Sequence, residues 1–279
     1  MAINLATKFD KKVVERFSKQ SITDAFCGKD YDFTGVKTVK VYTVDTVATA
    51  DYTRSGTSRY GAVTELGDTV QELTVSQDKG FTFSIDKGNA QEQYNVKQSN
   101  KALQREWDEV VTPEIDKYRL SAWATGAGLT KTNAAAPTKD TVLEMLLTAG
   151  AAMNNALVPR VGRAIFIPES VYILTQLADQ IITNDKLGEK AIVNGSVGMI
   201  GQMNVVPVPD SYMPEGVQFL IKYKSSTVDP VKLRDYKIHV DPPGISGDLV
   251  EGRYIYDSFV LRTKNKGIYV AKGEYTAAT

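Results

Sequence analysis

The sequence predicts an α+β fold: strands toward both ends of the chain, a long helix over residues 91–125, and a smaller unit of helices and strands after it. Three patterns carry this reading. Leu103, Trp107, Val110, Val111, Ile115, Tyr118 and Ala122 recur at spacings of three and four, which draws one apolar stripe along a helix. Residues 33–86 and the last part of the chain show alternation and β-branched runs instead. Between them, short apolar runs such as RAIFI and MNVVPV are interleaved with helical periodicity.

Residues 3–20, INLATKFDKKVVERFSKQ, set Leu5, Phe9, Val13, Val14 and Phe17 at helical intervals and predict a short amphipathic helix. It either packs on its own domain or acts as an arm that docks on another subunit. The runs VKTVKVYTV, AVTELGDTVQELTVSQ and GFTFSID predict strands. Between the first two, DTVATADYTRSGTSRYGA is rich in Thr, Ser, Ala and Gly and has no periodicity that could bury it, so it predicts a long exposed excursion. Asp51, Arg54, Arg59 and Tyr60 lie there with no cluster of acid, base and nucleophile, which makes contact with a partner its better use.

The long helix would span about 50 Å if continuous. Lys97, Lys101, Gln104, Arg105, Asp108 and Glu109 take its other faces, where they are solvated or meet a neighbouring subunit. Thr112-Pro113-Glu114 predicts a break into two helical pieces, with Thr112 as cap and Pro113 at the first helical position, because proline lacks the amide proton and clashes with the preceding turn. GAGLTKTNAAAPTK then reads as a linker or domain crossing over residues 126–139. A helix with Val142, Met145, Leu146, Ala149, Ala152 and Met153 on one side, the strand RAIFI halted by Pro168, a second helix, and the strands MNVVPV and QFLIKY predict a small α/β unit. The chain closes with YKIHVD, a turn at Pro242-Pro243-Gly244, RYIYDSFVLRTK and GIYVAKG, strands placed beneath the long helix.

With 279 residues, 42% of them hydrophobic, the chain can bury a sizeable core. Thirty-three basic residues balance thirty-three acidic ones, so no excess charge marks a dedicated nucleic-acid or membrane-surface binder. Cys27 is the single cysteine, which excludes an intrachain disulfide and a zinc site of several thiolates. No signal peptide and no apolar run long enough to cross a bilayer is present, so a soluble protein is expected.

Catalytic constellations are missing. His239 is the sole histidine and sits in an alternating strand, where a structural role outweighs a Ser-His-Asp triad. The glycines of GSVGMIG match neither the dinucleotide fingerprint nor the phosphate loop and instead permit a tight bend before MNVVPV. Neither a calcium loop nor an HExxH pair occurs, and no catalytic, cofactor or metal residue is expected.

The order of arm, excursion, long helix ending in WDEVVTPEIDKYRLSAWA, inserted unit with VPRVGRAIFIPESVYILTQL, and closing YIYDSFVLRTKNKGIYVA resembles the major capsid proteins of tailed bacteriophages, which have the Hong Kong 97 fold. The resemblance implies an N-terminal arm (1–32), an extended loop with adjoining strands (33–90), the spine helix of a peripheral domain (91–129), an axial domain (130–225) and closing strands of the peripheral domain (226–279). It implies a structural protein made in the bacterial host cytoplasm, assembled as hexamers and pentamers of a virion shell, with non-specific contact to packaged double-stranded DNA, no membrane, and portal and scaffolding proteins as partners. Met1, and the lack of a long helical extension, favour a separate scaffold. Asp51, Arg54, Arg59, Tyr60, Lys97, Lys101, Arg105 and Asp108 are the candidate subunit-interface residues. The lysine-to-asparagine crosslink of some members has no residue-by-residue match here. Two rivals are an encapsulin-type nanocompartment shell and an enzyme with a mobile lid over residues 45–61.

Overall fold

A computed structural model describes residues 21–28, 30–31, 33, 37–87, 99–178, 192–193 and 196–274. The helix expected over residues 3–20 and the start of the long helix with Lys97 lie outside them. In chain order, β1 (Thr38–Val44) and β2 (Asp68–Thr74) form a hairpin, and β3 (Gln77–Asp86) follows. The helix α1 (Ser99–Glu106) passes through a π turn at Trp107–Val111 into α2 (Thr112–Thr125). Next come β4 (Leu129–Thr132), α3 (Val142–Asn155), β5 (Arg163–Pro168) and α4 (Glu169–Gln176). β6 (Ile192–Val193), β7 (Ser196–Val197), β8 (Met199–Ile200), β9 (Met203–Val208) and β10 (Val217–Tyr223) complete the middle of the chain. The end supplies β11 (Thr227–Val228), β12 (Val231–Val240), β13 (Gly247–Tyr256), β14 (Phe259–Val260) and β15 (Ile268–Lys272).

A six-stranded sheet in the order β4-β15-β10-β5-β9-β8 forms the centre. Its middle strands are covered on both faces, which is why RAIFIP and VQFLIKY are near-continuous apolar runs and not alternating ones. Ile165, Ile167, Phe219, Ile221 and Tyr269 face α3 and α4, where Val142, Leu146, Ala149, Met153 and Tyr172 are buried. Ala164, Phe166, Leu220 and Val270 face the other way, onto Leu120 and Trp123 of α2. A second, three-stranded sheet, β12-β13-β3, packs Tyr254 and Tyr256 against Val111 and Ile115, with Trp107 and Tyr118 alongside. The helix therefore spans both sheets, its first half on one and its second half on the other.

Pro113 stands in the first turn of the second helical piece, α2, as expected, but the chain keeps helical geometry across the junction. The backbone stays right-handed helical through Glu106, Val111 and Thr112, and the Thr112 N–H reaches back to the Trp107 carbonyl, five residues away. The extra residue in this wide turn gives the proline ring the room it would lack against the carbonyl four residues back. The cap position consequently falls on Val111, which makes no side-chain capping bond, and not on Thr112. An inserted residue also shifts the buried face by about 100°. That shift misleads a stripe read at constant period: Val110 is 48% exposed, whereas Leu120 and Trp123 are fully buried.

The expected linker is interrupted by β4, which adds in parallel to β15. Gly-rich composition hid a strand whose pairing comes from a segment over a hundred residues away, and β15 in turn pairs with β10. The bend before β9 forms as its glycines suggest: Gly201 and Gln202 both have positive φ, which closes the β8–β9 hairpin. Polar side chains of α2 are buried too. Asp116 accepts hydrogen bonds from Ser21 Oγ (2.8 Å), the Ile22 N–H (2.9 Å) and Thr23 Oγ1 (2.6 Å), and Arg119 donates to Thr23 Oγ1 (3.0 Å), fixing residues 21–24 to the helix.

Candidate assembly surface

The β1–β2 hairpin is anchored at its root and bare at its tip. Val41 and Leu73 are buried with Phe33, Val75, Val228 and Leu261. Gln71 links the root to the end of the chain, donating to the Val260 carbonyl (3.0 Å) and accepting from the Arg262 N–H (2.9 Å). Just beyond β2, the Asp257 carboxylate accepts from Ser76 N–H (2.8 Å) and Oγ (2.9 Å) and from Tyr118 Oη on α2 (2.8 Å). An open cleft of about 420 Å³ lies beside this root, lined among others by Gln71, Glu72, Tyr118, Ser121 and Val260. Its carboxylate, Glu72, is paired with Lys40 at 2.9 Å.

Outward from the root the same ribbon exposes apolar side chains. Tyr42 and Val44 are mostly exposed, Tyr60 is 86% exposed and Val63 wholly so. The tip is nevertheless folded: the Thr53 N–H donates to the Arg59 carbonyl (3.0 Å), Arg59 Nε donates to the Gly56 carbonyl (3.1 Å), and Tyr52 meets Tyr60 edge-on at 5.0 Å. Asp51, Arg54, Arg59 and Tyr60 are all exposed here, on one short loop. Of the helical candidates, Lys101 is exposed, Asp108 is half-buried, and Arg105 is already engaged with Glu109 at 3.2 Å one turn on. The structure thus gathers the four loop residues but does not join the helical ones to them in one site.

Behind this surface is a group that sequence reasoning missed. Lys222 and Asp229 are fully buried, with Nζ 3.5 Å from Oδ2. Lys222 also donates to the Phe26 carbonyl (2.7 Å) and sits 3.9 Å from the centre of the Trp123 ring. Asp229 accepts from Trp123 Nε1 (3.0 Å), Thr227 Oγ1 (2.5 Å), Ser258 Oγ (2.5 Å) and the Gly28 N–H (3.3 Å). Burial alone would push the Asp229 carboxyl up, but the Lys222 charge and these hydrogen bonds outweigh it and hold it low; burial pushes the Lys222 ammonium down. The available signal was a lysine in an apolar strand: alternation puts Lys222 on the face of Leu220, toward α2. The pair welds α2, β10 and the end of the chain, and nothing in it opens to a substrate.

His239 Nε2 lies 3.3 Å from Glu251, with both side chains about half exposed on the three-stranded sheet. Cys27 is buried, gives its S–H to the Thr23 carbonyl (3.3 Å), and burial pushes its pKa up to about 12. Among the described residues no group of three or more His, Cys, Asp or Glu is placed to hold a metal, and no helix is long and apolar enough to cross a membrane.

No protein-family model matches the sequence, and no curated protein matches it. Solved structures do. A chain from the capsid structure of the cyanophage P-SCSP1u superimposes with a TM-score of 0.80 over 98% of this chain and 94% of that one, at 13% identity. This chain therefore shares the fold of that capsid chain. A chain of Mycobacterium phage Che8 gives a TM-score of 0.79 at 17% identity, covering 97% of this chain and 98% of that one. A chain from the asymmetric unit of the mature capsid of bacteriophage PhiM1 gives 0.75 at 10% identity, over 98% and 93%. The likeness in fold extends over nearly the whole of each chain.

Proposed function

We propose that this chain is the major capsid protein of a tailed bacteriophage, a structural subunit that assembles as hexamers and pentamers of an icosahedral shell around double-stranded DNA. The observation that carries the reading is the hairpin: its root is fixed by burial and hydrogen bonds, while its tip holds Tyr60 and Val63 exposed among the described residues. Such an element lowers its free energy only against another molecule. The likeness in fold to chains from phage capsid structures supports a further copy of this chain as that molecule. Division into arm, extended loop, spine, axial unit and closing strands at residues 32, 90, 129 and 225 belongs to this proposal, as do portal and scaffolding partners and assembly in the host cytoplasm. In this reading the helix lying across both sheets is the rib that stiffens a thin tile.

Electron microscopy of the purified protein tests it: rings, sheets or closed shells are expected, and a strict monomer under all assembly conditions would sink it. Deleting residues 51–61 should leave the circular dichroism spectrum and thermal midpoint nearly unchanged yet stop shell growth. Loss of soluble folded monomer in that deletion would show that the tip serves the fold and not assembly.

A further inference from the structure

The three-stranded sheet ends in a long open edge. β12 runs for ten residues, Val231–Val240, and pairs with β13 on one side; among the described residues no strand covers its other side. Such an edge is usually blunted by a proline, a bulge or a short strand, because its unpaired N–H and C=O groups template a further strand. β12 contains no proline, and its one irregularity lies at its start, between Val231 and Leu233. Beyond that point the edge is regular and partly apolar, with Tyr236 62% and Val240 70% exposed. Alternation puts both on the face of the sheet that carries Tyr254 and Tyr256. Phe81 fills the space over Gly252, the residue opposite Tyr236, since a β-carbon there would fall 2.3 Å from the Phe81 ring.

The other face of the strand carries charge left unpaired within the chain. Asp235 stands opposite Arg253, and Lys237 opposite Glu251. Arg253 is engaged by Asp78, to which it donates twice (2.9 and 2.6 Å), and Glu251 lies 3.3 Å from His239 Nε2. Asp235 and Lys237 are exposed, and neither makes an ion pair among the described residues. Opposite signs two residues apart on one face make the strand complementary to itself. Residues opposite each other in an antiparallel pair share a face, so a symmetric contact between two copies of β12 must be centred on a residue; a one-residue slip would set one face against the other. Centred on Asp235 or Lys237, it opposes like charges. Centres nearer either end shorten the pairing. Centred on Tyr236, it sets Asp235 of each copy against Lys237 of the other and uses nearly the whole strand.

We infer that β12 of one copy pairs antiparallel with β12 of a second copy about Tyr236, fusing two three-stranded sheets into one of six strands. The pairing itself does not need the shell reading. Its use in a shell rests on that reading: an isologous contact joins two copies and stops, so it can link rings but cannot close one.

The full chain tests this. Tyr236→Cys, mildly oxidised, should give a disulfide-linked homodimer at least about tenfold above that of Thr82→Cys, an exposed site on the far edge strand β3. Buried Cys27 keeps the background low. Adding Asp235→Lys to Tyr236→Cys should cut the homodimer at least about fivefold by setting cation against cation, and adding Lys237→Asp as well should restore it to within about twofold, with the signs of the ion pairs exchanged. In the parent chain, hydrogen exchange of the β12 amides should slow at least about tenfold on association. Absence of both the homodimer and the protection overturns the pairing, and shells seen by microscopy then keep the shell reading standing. Protection without the homodimer gives the edge to a different strand and also overturns it, as does a homodimer indifferent to the charge exchange. A homodimer from a chain that never builds rings or shells supports the pairing and refutes the shell reading.

Discussion

Replacing Asp229 with alanine should be among the costliest single changes in this protein. It strips the counter-charge from Lys222, whose side chain is 0% exposed, and a buried charge left unpaired costs about 3–5 kcal/mol. The Trp123 indole N–H, 3.0 Å from the lost oxygen, is orphaned as well, adding about 1 kcal/mol. Thr227 and Ser258 can rotate their hydroxyls toward other acceptors, so they are left out, and the total is about 4–6 kcal/mol. Against a typical stability of about 5–15 kcal/mol this approaches global unfolding. Guanidinium titration of the unassembled chain, followed by tryptophan fluorescence, reads it directly. Lys222→Met with Asp229→Asn removes both charges while keeping shape and an acceptor for the indole, and should fall within about 1.5 kcal/mol of the parent. A loss below about 1 kcal/mol in Asp229→Ala, or a double variant as unstable as the single, would refute the claim that the charge pair is what matters. The pH dependence has a definite sign. Because the Asp229 carboxyl is held below its ordinary value, the unfolded chain binds more protons in the interval between the two. Its stabilising contribution is complete above the unfolded value of about 3.9 and disappears as the pH falls through the lower folded value, and Asp229→Asn should flatten that acid limb.

The two tryptophans should separate clearly. Trp123→Ala should cost about 3–5 kcal/mol, whereas half-buried Trp107, which meets Tyr254 edge-on at 5.9 Å, should cost about 1–2 kcal/mol, both read as shifts in denaturation midpoint. A β-carbon added at Gly28 would fall 1.8 Å from the Thr227 carbonyl oxygen, a backbone atom, so Gly28→Ala should displace the Thr227–Asp229 segment and cost about 1–3 kcal/mol by thermal melting. With its pKa near 12, the Cys27 thiol should react with a disulfide reagent at pH 8 about a thousandfold more slowly in the folded protein than in denaturant.

Much of the architecture was legible because burial imposes periodicity. The strands, the helix with Ile115 and Tyr118 on its inner face, and the bare excursion around Tyr60 follow from where apolar side chains recur. The phase of the helix was not legible: a π turn at Trp107–Val111 inserts a residue, and no local pattern announces it. β4 escaped for a different reason, since a four-residue edge strand is defined by its partner and not by its own composition. Exposure of the loop candidates was readable at the hairpin; on the helix, the Arg105–Glu109 pair at 3.2 Å depends on a fold geometry that composition does not show.

Composition and order alone therefore determined that this chain makes an α+β body with a long helix and a protruding ribbon. Only the tertiary structure decided which side chains close that body and which stay in water. Lys222 and Asp229 look solvated in a linear chain, and become a buried weld because β10 and the end of the chain bring them together over Trp123. Leu157 looks like ordinary core and is held outside by the guanidinium of Arg163. Periodicity records the average preference of a segment for water, while the position of a single charge or methyl group is set by partners that are distant in sequence.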